Sequence, residues 1–99
     1  MISYEDFVDE NPSVLVMEEF KAAIVGYGER INLGPVIVYD KDIIIEMLMK
    51  EMVVEKDDLY EGQTEEDKKY EMAMEYFDFN IVGAWMGEYT PIFLTKFEK

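Results

Sequence analysis

The chain has no cysteine and no histidine. Without cysteine there is no disulfide, no thiolate metal site and no Cys nucleophile. Without histidine there is no imidazole base for a catalytic triad. The one side chain that titrates unperturbed near neutral pH is therefore missing, and general acid–base work would fall to carboxylates, Lys or Tyr. Arginine occurs once, as Arg30, and lysine and arginine together number nine. Phosphate recognition depends on Lys and Arg, so direct binding of nucleic acid is not expected. No apolar run approaches the ~18 residues of a membrane span, and no membrane partner is expected. The opening Met1-Ile2-Ser3-Tyr4-Glu5-Asp6-Phe7 is acidic and does not have the basic start of a signal peptide, so a cytoplasmic location is expected.

What is present argues for a folded body. Apolar residues make up 49% of the chain and aromatics 14%, against 32% charged. Ninety-nine residues, 1–99, suit a single domain that buries roughly 60–65% of its unfolded surface. Twenty-three acids against nine bases give a net charge of −14. Self-repulsion of that size burdens a small fold. It serves either solubility or an acidic face that attracts a basic partner.

Ser3 is placed to cap a short helix over 3–9, with Glu5 and Asp6 at its positive end and Asn11-Pro12 as its stop. Short strands are expected at 13–17, at 21–30 with loosening at Gly26 and Gly28, and within 32–40, a segment that begins with a Gly34-Pro35 turn. Val36-Ile37-Val38-Tyr39 reads as a central strand covered on both faces. Asp40 suits the N-cap of a helix over 41–52. Its broad apolar face is Ile44, Ile45, Leu48, Met49 and Met52, while Ile43 and Met47 lie nearly opposite, so it needs cover on two sides. Residues 54–66 are acidic and read as an exposed loop around Gly62. Thr64 and Asp67 resemble a capping box for a second helix over about 65–78, with Tyr70, Ala73, Met74 and Phe77 on its core face. Asn80 is expected to close that helix in the left-handed conformation, and 81–86 and 91–95 to form a hairpin around Gly87-Glu88-Tyr89-Thr90. The expected fold is α+β: a mostly antiparallel sheet of four or five short strands, two longer helices on one face and a short N-terminal helix.

Most chemical signatures fail on inspection. The twelve residues Glu55–Glu66 end in Glu, but Leu59 and Tyr60 stand where an EF-hand needs an oxygen ligand and a glycine. Asp40-Lys41-Asp42 is too short a signal for an ion site. Gly26-Tyr27-Gly28 lacks the Lys-Ser/Thr and helix start of a phosphate loop. An anion nest at Gly83–Gly87 would work against the protein's own charge. Nothing indicates the concave site that paired-carboxylate hydrolysis needs. No enzyme activity, cofactor or metal is expected.

The carboxylates are the stronger signal. Asp67, Glu71, Glu75 and Asp78 fall within an ~80° arc of the second helix, in ~5–6 Å steps. This is either the solvated face of an amphipathic helix or a row imitating a phosphate backbone, which at one charge per ~3.4 Å of strand is denser. Glu55, Asp57, Asp58, Glu61, Glu65 and Glu66 of the loop would extend it. Tyr60, Trp85 and Tyr89 are candidate anchors, because aromatics dominate interface hot spots. The helical methionines, Met47, Met49, Met52, Met72 and Met74, suit core filling or an adaptable binding patch.

"GYGERINLGPVIVYDKDIIIEMLMK" followed by "YEMAMEYFDFNIVGAWMGEYTPIF" resembles a set of small, mostly uncharacterised bacteriophage and prophage proteins. They share Gly-Tyr-Gly, Pro-Val-x-x-Tyr-Asp and Tyr-Phe-x-x-Asn-x-x-Gly-Ala-x-x-Gly-x-x-Thr-Pro. The likeness spans about residues 24–95, and the acidic stretch 55–66 stands as an insertion. It implies a phage setting within a host cell and brings no catalytic residues. Small, very acidic phage proteins often inhibit host nucleic-acid-binding proteins, so the resemblance implies an inhibitor of anti-restriction, anti-CRISPR or transcription-inhibitor type. Its expected partner is a basic host protein that binds nucleic acid. The alternative is an accessory or structural protein that forms a homodimer or larger homo-oligomer through an apolar helix face.

Overall fold

The computed structural model describes residues 1–84 and 87–98. The fold is α+β and falls into two compact units, Met1–Lys41 with Trp85–Lys99, and Asp42–Ala84.

The first unit opens with helix α1, Tyr4–Glu10. The Asp6 amide donates to Ser3 Oγ at 3.2 Å, so the expected cap is in place. Asn11 closes the helix, its backbone N–H donating to the Phe7 and Val8 carbonyls and its side-chain amide to the Phe7 carbonyl at 2.9 Å. Phe7 is buried and stacks on Tyr27 with ring centroids 4.3 Å apart. Residues 13–17 are not the expected strand. The chain there is irregular and runs into a 3-10 stretch, Glu18–Ala23. The Met17 amide donates to Tyr39 Oη at 2.7 Å rather than to a strand ladder.

Strands β1 (Ile24–Arg30) and β2 (Leu33–Asp40) pair antiparallel. The turn between them is Ile31-Asn32, with Asn32 at φ 60, not Gly34-Pro35, which lies inside β2. Pro35 has no N–H to give the ladder, and the register slips opposite it, between Gly28 and Arg30. A second slip lies between Ile24 and Gly26, so the pairing does loosen around both glycines. Strand β3, Ile92–Leu94, runs parallel to β2 through Val38↔Ile92 and Asp40↔Leu94. Among the described residues the sheet is therefore three-stranded and mixed, in the order β1-β2-β3, where four or five mostly antiparallel strands were expected. β2 is the central strand. Its neighbours Val36 and Ile37 point to opposite faces and both are buried, as is Tyr39.

The second unit holds the two longer helices. α2, Lys41–Glu51, buries Ile44, Ile45 and Leu48 and leaves Met47, Met49 and Met52 half-buried. Ile43, expected to need cover, is 37% exposed. α3, Glu65–Phe77, starts with the capping box, the Asp67 amide donating to Thr64 Oγ1 at 3.1 Å and the Thr64 amide to Asp67 Oδ2 at 3.3 Å. Ala73 and Phe77 are buried and Met74 half-buried, but Tyr70 is 53% exposed and lies off the core. The helix does not end at a left-handed Asn80. Asp78–Val82 continues it as a π turn, and the Gly83 amide donates to the Asp78 carbonyl at 3.1 Å with Gly83 at φ −72. The expected 81–86 strand is thus helical over 81–82, and Trp85 and Met86 lie outside the described residues. Among the described residues, no helix is long and apolar enough to cross a membrane.

Candidate functional site

The charge is unevenly shared. Asp42–Ala84 has thirteen acids and four lysines, a net of −9; the rest of the chain has ten acids and five bases, a net of −5. Every Asp and Glu is solvent-exposed except Asp40 and Glu71, which are half-buried. Exposure keeps the carboxylates hydrated, so the acidic surface forms without the desolvation cost of buried charge.

The loop acids are held rather than adrift. Glu55 leads into a 3-10 turn, Lys56–Asp58, which projects Asp57 and Asp58 outward. A tight turn then spans Tyr60 to Gln63, with Gly62 at φ 84 and the Gln63 amide donating to the Tyr60 carbonyl at 2.9 Å. The Gln63 side chain ties this turn to α3. Its Oε1 accepts from the Tyr60 amide at 3.0 Å and its Nε2 donates to Glu71 Oε2 at 3.2 Å. Lys68 lies 3.9 Å from Glu71 Oε1 and 5.8 Å from the Tyr60 ring centroid. Glu61 is thereby presented on a fixed turn. Glu65 and Glu66 are exposed in the first turn of α3, where its positive end favours them.

The expected row on α3 divides in two. Asp67 is committed to the cap and Glu71 to Gln63 and Lys68. Glu75 and Asp78 are exposed. Of the expected anchors, Tyr60 is 70% exposed beside these acids. Tyr89 is half-buried in the first unit, its ring against Gly34, and Trp85 lies outside the described residues. Among the described residues, no three acids converge on a point that could hold a metal ion.

One feature of this unit escaped the sequence pattern. A groove of about 660 Å³ is lined by Asp42, Ile45, Glu46, Met49 and Lys50 of α2 and by Glu66, Lys69 and Tyr70 of α3. The spacing 42, 45/46, 49/50 is one face of a helix, and 66, 69/70 is another. Tyr70 sits in this groove, which is why it is not in the core where its spacing suggested it belonged. The only signal in the sequence was the acidic recurrence of Asp42 and Glu46 at i, i+4 beside apolar Ile45 and Met49.

No protein-family model, no curated protein and no solved structure matches this chain.

Proposed function

We propose that the protein is a non-enzymatic, acidic interaction protein of phage type that inhibits a basic, nucleic-acid-binding host protein stoichiometrically. The observation behind this reading is the concentration of carboxylates on Asp42–Ala84, thirteen acids of which twelve are exposed against four lysines, with the Tyr60–Gln63 turn tied to α3 by Gln63. Clustered exposed acids resemble the charge array that a Lys/Arg-lined groove binds. Opposite charge would speed encounter more than it deepens affinity, and exposed Tyr60 would supply desolvated contact. Restriction, CRISPR and transcription machinery are the target classes, met in the host cytoplasm.

The test is capture of host proteins by the wild type and by an Asp58→Lys/Glu61→Lys/Glu75→Lys variant, at about 50 mM and about 500 mM salt. These three acids are exposed, so the fold should survive. Asp67 and Glu71 are avoided because their loss would disturb the cap and the Gln63 tie. The wild type should capture a DNA-binding protein at low salt only and displace DNA from it; the variant should not. Capture that resists salt and charge reversal would sink the proposal.

A second reading, homo-oligomerisation, draws on Phe79, which is 82% exposed on the π turn next to exposed Tyr76 and Val82. An apolar homo-oligomer would hold or tighten as salt rises, the opposite of the first reading.

A further inference from the structure

The groove between α2 and α3 has what the acidic row lacks, an apolar floor between charged rails. Ile45 and Met49 stand one turn apart on α2, and Tyr70 adds an aromatic ring from α3. Asp42, Glu46 and Lys50 recur every four residues along one rail; Glu66 and Lys69 lie on the other. We propose that this groove docks a Lys/Arg-rich amphipathic helix of the partner protein. Its apolar stripe would sit on Met49 and Tyr70, over buried Ile45, and its basic flanks along Asp42, Glu46 and Glu66. The inference rests on the acidic-surface reading and names the element of the partner that is held.

Charge selects the occupant. The unit around the groove has a net of −9, so an acidic helix or nucleic acid is repelled. A second copy would bring another chain of net −14 and meet the same overall repulsion. The floor selects a helix over a flexible basic tail. A tail needs only exposed acids, whereas side chains at i, i+3, i+4 and i+7 form the ridge that such a groove receives. A helix is about 10–12 Å across, so a groove of about 660 Å³ takes its ridge of side chains and leaves its far side in solvent. Met49, unbranched and adaptable, suits a ridge of varied shape. Lys50, in the last turn of α2, gives the groove polarity and favours an acid at that end of the docked helix.

The test uses three designed peptides of about 18 residues, five helical turns. The first has a leucine stripe flanked by Lys and Arg. The second has the same composition scrambled to destroy the helical period. The third keeps the stripe and replaces Lys and Arg with Glu. Binding to the full chain is measured by calorimetry and by amide NMR shifts, for wild type and for Tyr70→Ser and Glu46→Lys, both at exposed positions. The patterned basic peptide should bind about tenfold more tightly than the scrambled one, and each substitution should weaken it about fivefold or more. Shifts should centre on residues 42–50 and 66–70. Equal binding of patterned and scrambled peptides, or indifference to Tyr70→Ser, would overturn the groove and leave the acidic-surface reading standing. No binding of either basic peptide at low salt would overturn both.

Discussion

The ring of Tyr89 occupies the space that a side chain at Gly34 would need: a Cβ there would lie 2.9 Å from Tyr89 Cε1. Arg30 also holds this residue, Nε and Nη2 donating to the Gly34 carbonyl at 3.0 and 2.7 Å. The start of β2 is thereby fixed to the segment that leads into β3. Gly34→Ala should cost about 1–3 kcal/mol through overpacking, several degrees of Tm in a chain of this size. In a Tyr89→Ala background the same change should cost little, because the obstructing ring is gone. Thermal unfolding of the four-member cycle checks this, and equal costs in both backgrounds would refute the contact.

Tyr39 gives a second prediction. It is fully buried, its hydroxyl accepts from the Met17 amide, and its ring stacks on Phe93 at 5.8 Å. Tyr39→Phe keeps the stacking but strands the Met17 N–H, at a cost of about 1–3 kcal/mol if water does not reach it. Burial raises the phenol pKa above the ordinary 10.0, with nearby Tyr4, Glu19 and Glu18 adding to the effect and the Met17 hydrogen bond opposing it. The folded chain then binds this proton more tightly than the unfolded chain does. The associated stability is present in full below pH 10 and is lost as pH rises from there through the folded-state pKa. Denaturant titrations from neutral pH upward should show that loss in the wild type and less of it in Tyr39→Phe.

Local signals were the legible ones. Caps are local, so Ser3 at α1 and Thr64 with Asp67 at α3 could be read directly, and both helices start where those side chains put them. The central position of β2 followed from four β-formers in a row. The expected strand at 13–17 did not form, and its last amide, that of Met17, goes to the Tyr39 hydroxyl twenty-two residues away. Of the expected terminal hairpin, residues 81–82 belong to the π turn and β3 pairs in parallel with β2, a partner that local sequence does not specify. Within the candidate site, the exposed acids could be read from composition. The roles of Gln63 and Lys68 in holding them, and the position of Tyr70 in the groove, depend on how the loop folds back on α3.

Gly83 should resist substitution. Glycine in helical geometry normally gains up to about 1 kcal/mol when changed to alanine. Here φ is −72, and a Cβ would lie 3.2 Å from the carbonyl oxygens of both Asp78 and Phe79. Backbone cannot move aside as a flexible side chain does, so Gly83→Ala should destabilise, and hydrogen exchange at Gly83 and Ile81 should accelerate. A rise in Tm would mean that the π turn does not constrain this residue.

Charge reversal separates solubility from recognition. Thirteen acids to four lysines on Asp42–Ala84 repel one another, so the isolated protein should gain stability as salt rises from about 10 to about 200 mM. The Asp58→Lys/Glu61→Lys/Glu75→Lys variant relieves part of that repulsion at exposed sites, and its Tm should exceed that of the wild type at low salt. If the acids are there for a basic partner, the same variant must bind that partner more weakly, mainly through a slower association rate. Greater stability with weaker binding is the trade expected of a surface kept under strain for function. A variant that is more stable and binds as well as the wild type would reduce these carboxylates to solubilising charge. The discriminating measurement is the pair of quantities, Tm and association rate, taken on one preparation at one ionic strength.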